Sequence, residues 1–112
     1  MLIDVSQLGL EPSTLVGFEN HSGKTYLGPG LTPLGKVIRG VGNNGQDRTE
    51  GVASGNIFGT YLHGSLLPKN PHFTDFLIER ALSRRGPVAL SKLDDSVEQA
   101  AHQAVERSLR AG

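Results

Sequence analysis

Between Leu15 and Leu62 the apolar residues come in short clusters, Leu15-Val16, Val37-Ile38 and Ile57-Phe58, each bounded by Gly, Asn or Pro. That pattern predicts short strands joined by tight turns, near residues 14–19, 24–28, 36–41, 49–54 and 56–62. After His63 the period lengthens. Asn70 is placed to cap a helix with Pro71 in its first position, and Phe73, Phe76, Leu77 and Ala81 recur at three- and four-residue steps, a face that should pack on the sheet. Gly86-Pro87 closes this helix. Ser91, with Asp94 three residues on, opens a second one whose predicted apolar face is Leu93, Val97, Ala100, Ala101, Ala104, Val105 and Leu109. On this reading His72, in the first turn of one helix, and His102, on the polar side of the other, are both solvated.

Composition sharpens the picture in two places. The chain has 112 residues, enough for one domain with a modest core, and 15 glycines, about twice the usual share of roughly 7%. Twelve of them fall between Gly17 and Gly64, so the strand-rich part must turn tightly. Asn43-Asn44-Gly45 tolerates positive φ and predicts the reversal between the strand around Ile38 and the one around Val52. The Gly40-x-Gly42-x-x-Gly45 spacing matches a dinucleotide fingerprint, but no helix pattern follows it, so it reads as a Gly-rich turn and implies no cofactor.

Charge and cysteine content exclude several classes of function. Eleven basic residues balance eleven acidic ones, and no basic run exceeds Arg84-Arg85, which leaves no electrostatic footprint for nucleic acid or an anionic membrane. No leader pattern or apolar run of transmembrane length occurs, so the expectation is a cytoplasmic chain without membrane insertion. Zero cysteines excludes disulfides and thiolate metal sites and fits a reducing compartment. No two of the four histidines share a metal-ligand spacing.

His63 is the candidate for chemistry. It follows strand-like sequence and precedes Gly64-Ser65, which puts it where a sheet ends and a loop begins, the place where open α/β sheets bind ligands. From the residues alone it is either a base or a strand-end histidine satisfied by a backbone carbonyl. His21, in Glu19-Asn20-His21, either joins that site or caps a turn.

Several ordered motifs carry a resemblance. Val16-Gly17-Phe18-Glu19-Asn20-His21, Pro33-Leu34-Gly35, Gly42-Asn43-Asn44-Gly45-x-Asp47-x-x-Glu50-Gly51, and Asn56-Ile57-Phe58-Gly59-Thr60-Tyr61-Leu62-His63-Gly64 with Leu67-Pro68-x-Asn70-Pro71 together resemble the C-terminal part of the CobB/CobQ-like class I glutamine amidotransferases. Within that family the pattern is most similar to the glutaminase subunits of lipid II isoglutaminyl synthases. It covers residues 14–77 strongly and the last helix loosely. The resemblance implies an α/β, flavodoxin-like domain of which residues 1–112 are a single C-terminal part, short strands to about residue 62 followed by two helices.

It also implies that His63 is the general base for a cysteine nucleophile carried by an N-terminal half, which the present sequence does not contain. Glutamine would be the substrate. The ammonia would go to an ATP-dependent Mur-ligase-like subunit that amidates the stem-peptide glutamate of lipid II in peptidoglycan synthesis. Relatives with a triad carry a carboxylate two residues after the histidine, whereas Ser65 stands here, so another acceptor would orient the imidazole, with Glu19 and Asp47 conceivable. A half-sheet would expose apolar edges and favour obligate pairing. Two alternatives stand beside this reading: a corrinoid amidotransferase of the cobyric acid type, and a non-catalytic remnant that docks a ligase-like partner.

Overall fold

The computed structural model describes residues 1–112. Its centre is a strand that the periodicity did not single out: β1 (Leu2–Asp4) lies between β2 (Thr14–Val16) and β4 (Gly35–Arg39), antiparallel to both. The short β5 (Thr49–Glu50) joins the far side of β4 and completes a four-stranded sheet in the order β2-β1-β4-β5. Leu2, Ile3, Val5, Leu15, Val16 and Leu34 are fully buried there. The Leu2-Ile3-x-Val5 run carries no alternation because both faces of β1 are covered.

Three of the predicted strands split, two of them at a glycine. The 14–19 segment becomes β2 and β3 (Phe18–Glu19) on either side of Gly17, and β3 leaves the main sheet to pair with β8 (Leu62–His63). A Cβ on Gly17 would come within 2.9 Å of the end of the Leu62 side chain and 3.3 Å of its Cβ, so the bare backbone lets the two pack without displacing Leu62. The 49–54 segment becomes β5 and β6 (Val52–Ser54), divided by Gly51 at φ +68. There a Cβ would stand 2.3 Å from the Gly59 carbonyl oxygen, closer than any side chain permits. The 56–62 segment likewise divides into β7 (Ile57–Gly59), paired with β6, and β8.

The predicted strand at 24–28 does not form. Its Thr25 N–H donates to the Asn43 carbonyl at 2.7 Å and its carbonyl accepts from the Asn44 side chain at 3.0 Å. With its polar groups taken by one loop, it has no ladder to join. The turn at Asn43-Asn44-Gly45 does reverse the chain after β4, but the strand it delivers is Thr49–Glu50 and not the one around Val52. Both asparagines are buried. Asn43 bonds both the N–H and the carbonyl of Gly51, and Asn44 accepts from the amides of Gln46 and Asp47.

Three helices follow β8: the single turn α1 (Leu66–Lys69), α2 (Pro71–Ser83) and α3 (Ser96–Ala111). Pro71 opens α2 as predicted, and Phe73, Phe76 and Leu77 pack on the core, but Ala81 is exposed and the helix stops at Ser83, before Gly86. Asn70 does not cap α2 with its side chain, which reaches instead to Val16 and Leu66. The helix expected from Ser91 begins at Ser96 and is turned mostly away from its predicted face: Leu93 and Val97 are each 75% exposed, Ala100, Ala101 and Ala104 are exposed, Val105 and Leu109 are half-buried, and His102 is the residue fully buried. The result is an α/β domain of small antiparallel sheets and three helices, and none of the helices is long and apolar enough to cross a membrane.

Candidate functional site

His63 ends β8 and is exposed, opposite Phe18 of β3, itself 64% exposed. Directly opposed residues of an antiparallel pair project to one face, so imidazole and phenyl ring share a side of this small sheet. The next two residues both adopt left-handed backbone, Gly64 at φ +63 and Ser65 at φ +62. The chain therefore turns sharply into α1 just after the imidazole, with local strain at the non-glycine position. The His63 ring makes no hydrogen bond to any other group of the chain, so both of its nitrogens are open to a partner from outside it.

Neither carboxylate considered as its orienting partner reaches it. Glu19 accepts from the amides of Val41 and Gly42 at 2.9 and 2.6 Å and from His21 Nε2 at 3.1 Å. Burial alone would raise its pKa, but those donors outweigh the effect and hold the carboxylate below its ordinary range. Asp47 bonds Asn44 and Thr49 within its own loop. His21 does close a turn: Nδ1 donates to the Gly23 carbonyl at 2.8 Å and Nε2 to Glu19, an arrangement that raises its pKa. Its ring also tilts against Tyr61, centroids 4.3 Å apart, and the Tyr61 hydroxyl meets Thr25 Oγ1 at 2.5 Å.

Beneath this layer lies Glu50, fully buried. Its two oxygens accept from Thr60 Oγ1 at 2.6 Å and from the Tyr61 amide at 3.0 Å. Burial pushes its pKa up, and these two donors offset the effect only in part. A cavity of about 170 Å³ opens beside it, lined by Thr25, Asn43, Gly51, Thr60 and Tyr61 among others. His63 is not part of that lining.

The two helix histidines are not solvated. His102, wholly buried, points Nδ1 at the Lys69 carbonyl and Asn70 Oδ1, 3.0 and 3.1 Å away, and Nε2 at the Thr14 hydroxyl at 3.0 Å. Thr14 in turn donates to Glu106. The edge of the His72 ring lies against His102, centroids 4.9 Å apart. Its Nε2–H donates to the Thr14 carbonyl at 2.7 Å, leaving Nδ1 buried without a partner. This cluster binds α3 to β2 and α1 and shares no hydrogen bond with His63. Its residues are far apart in the sequence, which is why spacing could not reveal it.

Burial holds His72 neutral by lowering its pKa from 6.5, against the pull of the Thr14 carbonyl. The unfolded chain takes up that proton near pH 6.5 and the folded one resists it, so stability should fall as pH drops below 6.5, by at most about 1.4 kcal/mol per unit. His21 works in the opposite sense. Its raised pKa adds stability as pH falls toward 6.5 and has given its full contribution below that value. Thermal melts of wild type and His72→Gln between pH 7 and 5.5 separate the two, the acid-side loss being shallower in the variant.

Residues 2–71 match the family model of the CobB/CobQ-like glutamine amidotransferase domain. The chain is 46% identical over 99 residues to the lipid II isoglutaminyl synthase (glutamine-hydrolyzing) subunit GatD of Staphylococcus aureus, an alignment covering 87% of this chain and 40% of that protein. It is 43% identical over 72 residues to the GatD subunit of Streptococcus pneumoniae, covering 64% of this chain and 28% of the relative. A probable cobyric acid synthase of Methanothermobacter thermautotrophicus is 33% identical over 99 residues, covering 88% of the chain and 19% of that protein. The chain thus spans well under half the length of each.

Proposed function

Since this chain belongs to the CobB/CobQ-like glutamine amidotransferase family, we propose that residues 1–112 form the C-terminal, base-bearing part of a flavodoxin-like glutaminase domain, with His63 as the general base. The observation that carries the reading is the placement of His63. A free imidazole ends a strand within the matched region, at the mouth of a strained elbow. Among the 112 residues there is no thiol, so the attacking cysteine belongs to chain outside them.

In the reaction, His63 takes the thiol proton and the thiolate attacks the glutamine carboxamide carbon. The C–N bond then breaks as the imidazolium returns the proton to the leaving nitrogen, which departs as ammonia. Water attacks the thioester, again with His63 as base, and releases glutamate. Oxyanion stabilisation comes from outside these residues.

The 46% identity to a GatD subunit supports an ATP-dependent Mur-ligase-like partner that receives the ammonia and amidates the lipid II stem-peptide glutamate, in the cytoplasm. The 33% identity to a probable cobyric acid synthase keeps a corrinoid acceptor as the second reading. The direct test is ammonia release from glutamine by the protein that carries these residues, with and without His63. Supplying a lipid II stem peptide or a corrinoid acid alongside ATP and the partner then distinguishes the acceptors.

A further inference from the structure

We propose that Glu50 is a positioning residue for His63, an inference that rests on the reading of His63 as the base. Because the His63 ring has no hydrogen-bond partner in the chain, its direction is set through the backbone of β8. One edge of that backbone is held by β3, through the pairs Phe18↔His63 and Glu19↔Leu62. The run that leads into it is held by one buried carboxylate. Glu50 accepts from the Tyr61 amide and the Thr60 hydroxyl, and the same hydroxyl accepts from the Leu62 amide at 3.0 Å. Three consecutive residues just before His63 are therefore tied to a single side chain.

That side chain is costly to keep. Glu50 is fully buried and forms no ion pair, so hydrogen-bond donors such as these must offset its burial. Its position gives it a use. Glu50 ends β5, at the edge of the four-stranded sheet, and the adjoining Gly51 packs directly on the Gly59 carbonyl. The carboxylate thus ties the run before β8 to the four-stranded sheet, an anchor separate from the β3–β8 pairing. Glutamine in its place has one oxygen where the carboxylate has two, so either the Tyr61 amide or the Thr60 hydroxyl loses its acceptor.

The test uses the full-length glutaminase with its ligase-like partner, comparing wild type, Glu50→Gln, Thr60→Val and His63→Ala. Rates are expressed per active site, counted by labelling the nucleophile with a diazo-ketone analogue of glutamine, so that unfolded molecules do not enter. The expected result is a fall in kcat for glutamine hydrolysis of about tenfold or more in Glu50→Gln and Thr60→Val, with KM within about twofold of wild type. The double variant should lose no more than the worse single one, because both changes break one clamp. An unchanged kcat per labelled site in Thr60→Val, or in a folded Glu50→Gln, overturns the inference. If Glu50→Gln does not fold, Thr60→Val decides alone. Full activity in His63→Ala would instead remove the reading of the base, whereas its loss alongside unaffected clamp variants removes only the positioning role.

Discussion

On the proposed function, replacing His63 with alanine in the full-length protein is expected to lower ammonia release from glutamine by about 10²–10⁴-fold, while binding of a ligase-like partner persists. The size follows from the role proposed for the imidazole, activating the thiol and then protonating the leaving nitrogen, two steps that water performs poorly at neutral pH. The fold should be indifferent to the change, since His63 is exposed and makes no side-chain hydrogen bond. Added imidazole should restore part of the rate, because the ring leaves an accessible site. A variant with undiminished activity would show that another group is the base, and the non-catalytic account of this segment would then gain ground.

Asn70→Ala should be the most damaging single truncation of a polar side chain, destabilising the protein by about 3 kcal/mol in chemical denaturation. Asn70 is fully buried and pairs with both main-chain groups of Val16, accepting from its N–H at 2.9 Å and donating to its carbonyl at 2.7 Å. It therefore acts as an extra strand residue along the outer edge of β2. It also donates to the Leu66 carbonyl and faces His102 Nδ1. Alanine leaves the Val16 groups buried without partners, and burying an unpaired polar group costs more than the bond itself was worth. Asn70→Asp should also destabilise, since a carboxylate meets two carbonyl oxygens where an amide nitrogen donated. A loss below about 1 kcal/mol would mean that water reaches the Val16 edge once the amide is gone.

What was legible in the residues follows from the range of the forces involved. Paired apolar clusters bounded by Gly and Asn located β2, β4 and β7, and Pro71 located the start of α2, because steric and turn preferences act over a few residues. The breaks at Gly17 and Gly51 were not legible, since each depends on what packs against the glycine: Leu62 in one case and the Gly59 carbonyl in the other. His63 stands out as a candidate because six contiguous residues around it form a motif. Glu50 lay within a motif too, yet nothing local marks it as the anchor of residues ten positions downstream. The orientation of α3 was misread for the same reason: Thr14 and Asn70, which draw His102 inward, lie 88 and 32 residues away.

That orientation has an energetic signature of its own. Detaching a helix docked through an apolar face raises the heat capacity and carries a urea dependence, because apolar exposure sets the first and the surface exposed sets the second. Helix α3 already presents Val97, Ala100, Ala101 and Ala104 to solvent, with only Val105 and Leu109 of its apolar residues half-buried, and is held by polar contacts through His102, Glu106 and the carbonyl of Leu109, which accepts from Arg39. Its detachment would add little to either quantity. Amide exchange in α3 should therefore proceed through an opening whose rate barely responds to denaturant, while exchange in β1 and β2 waits for the global transition.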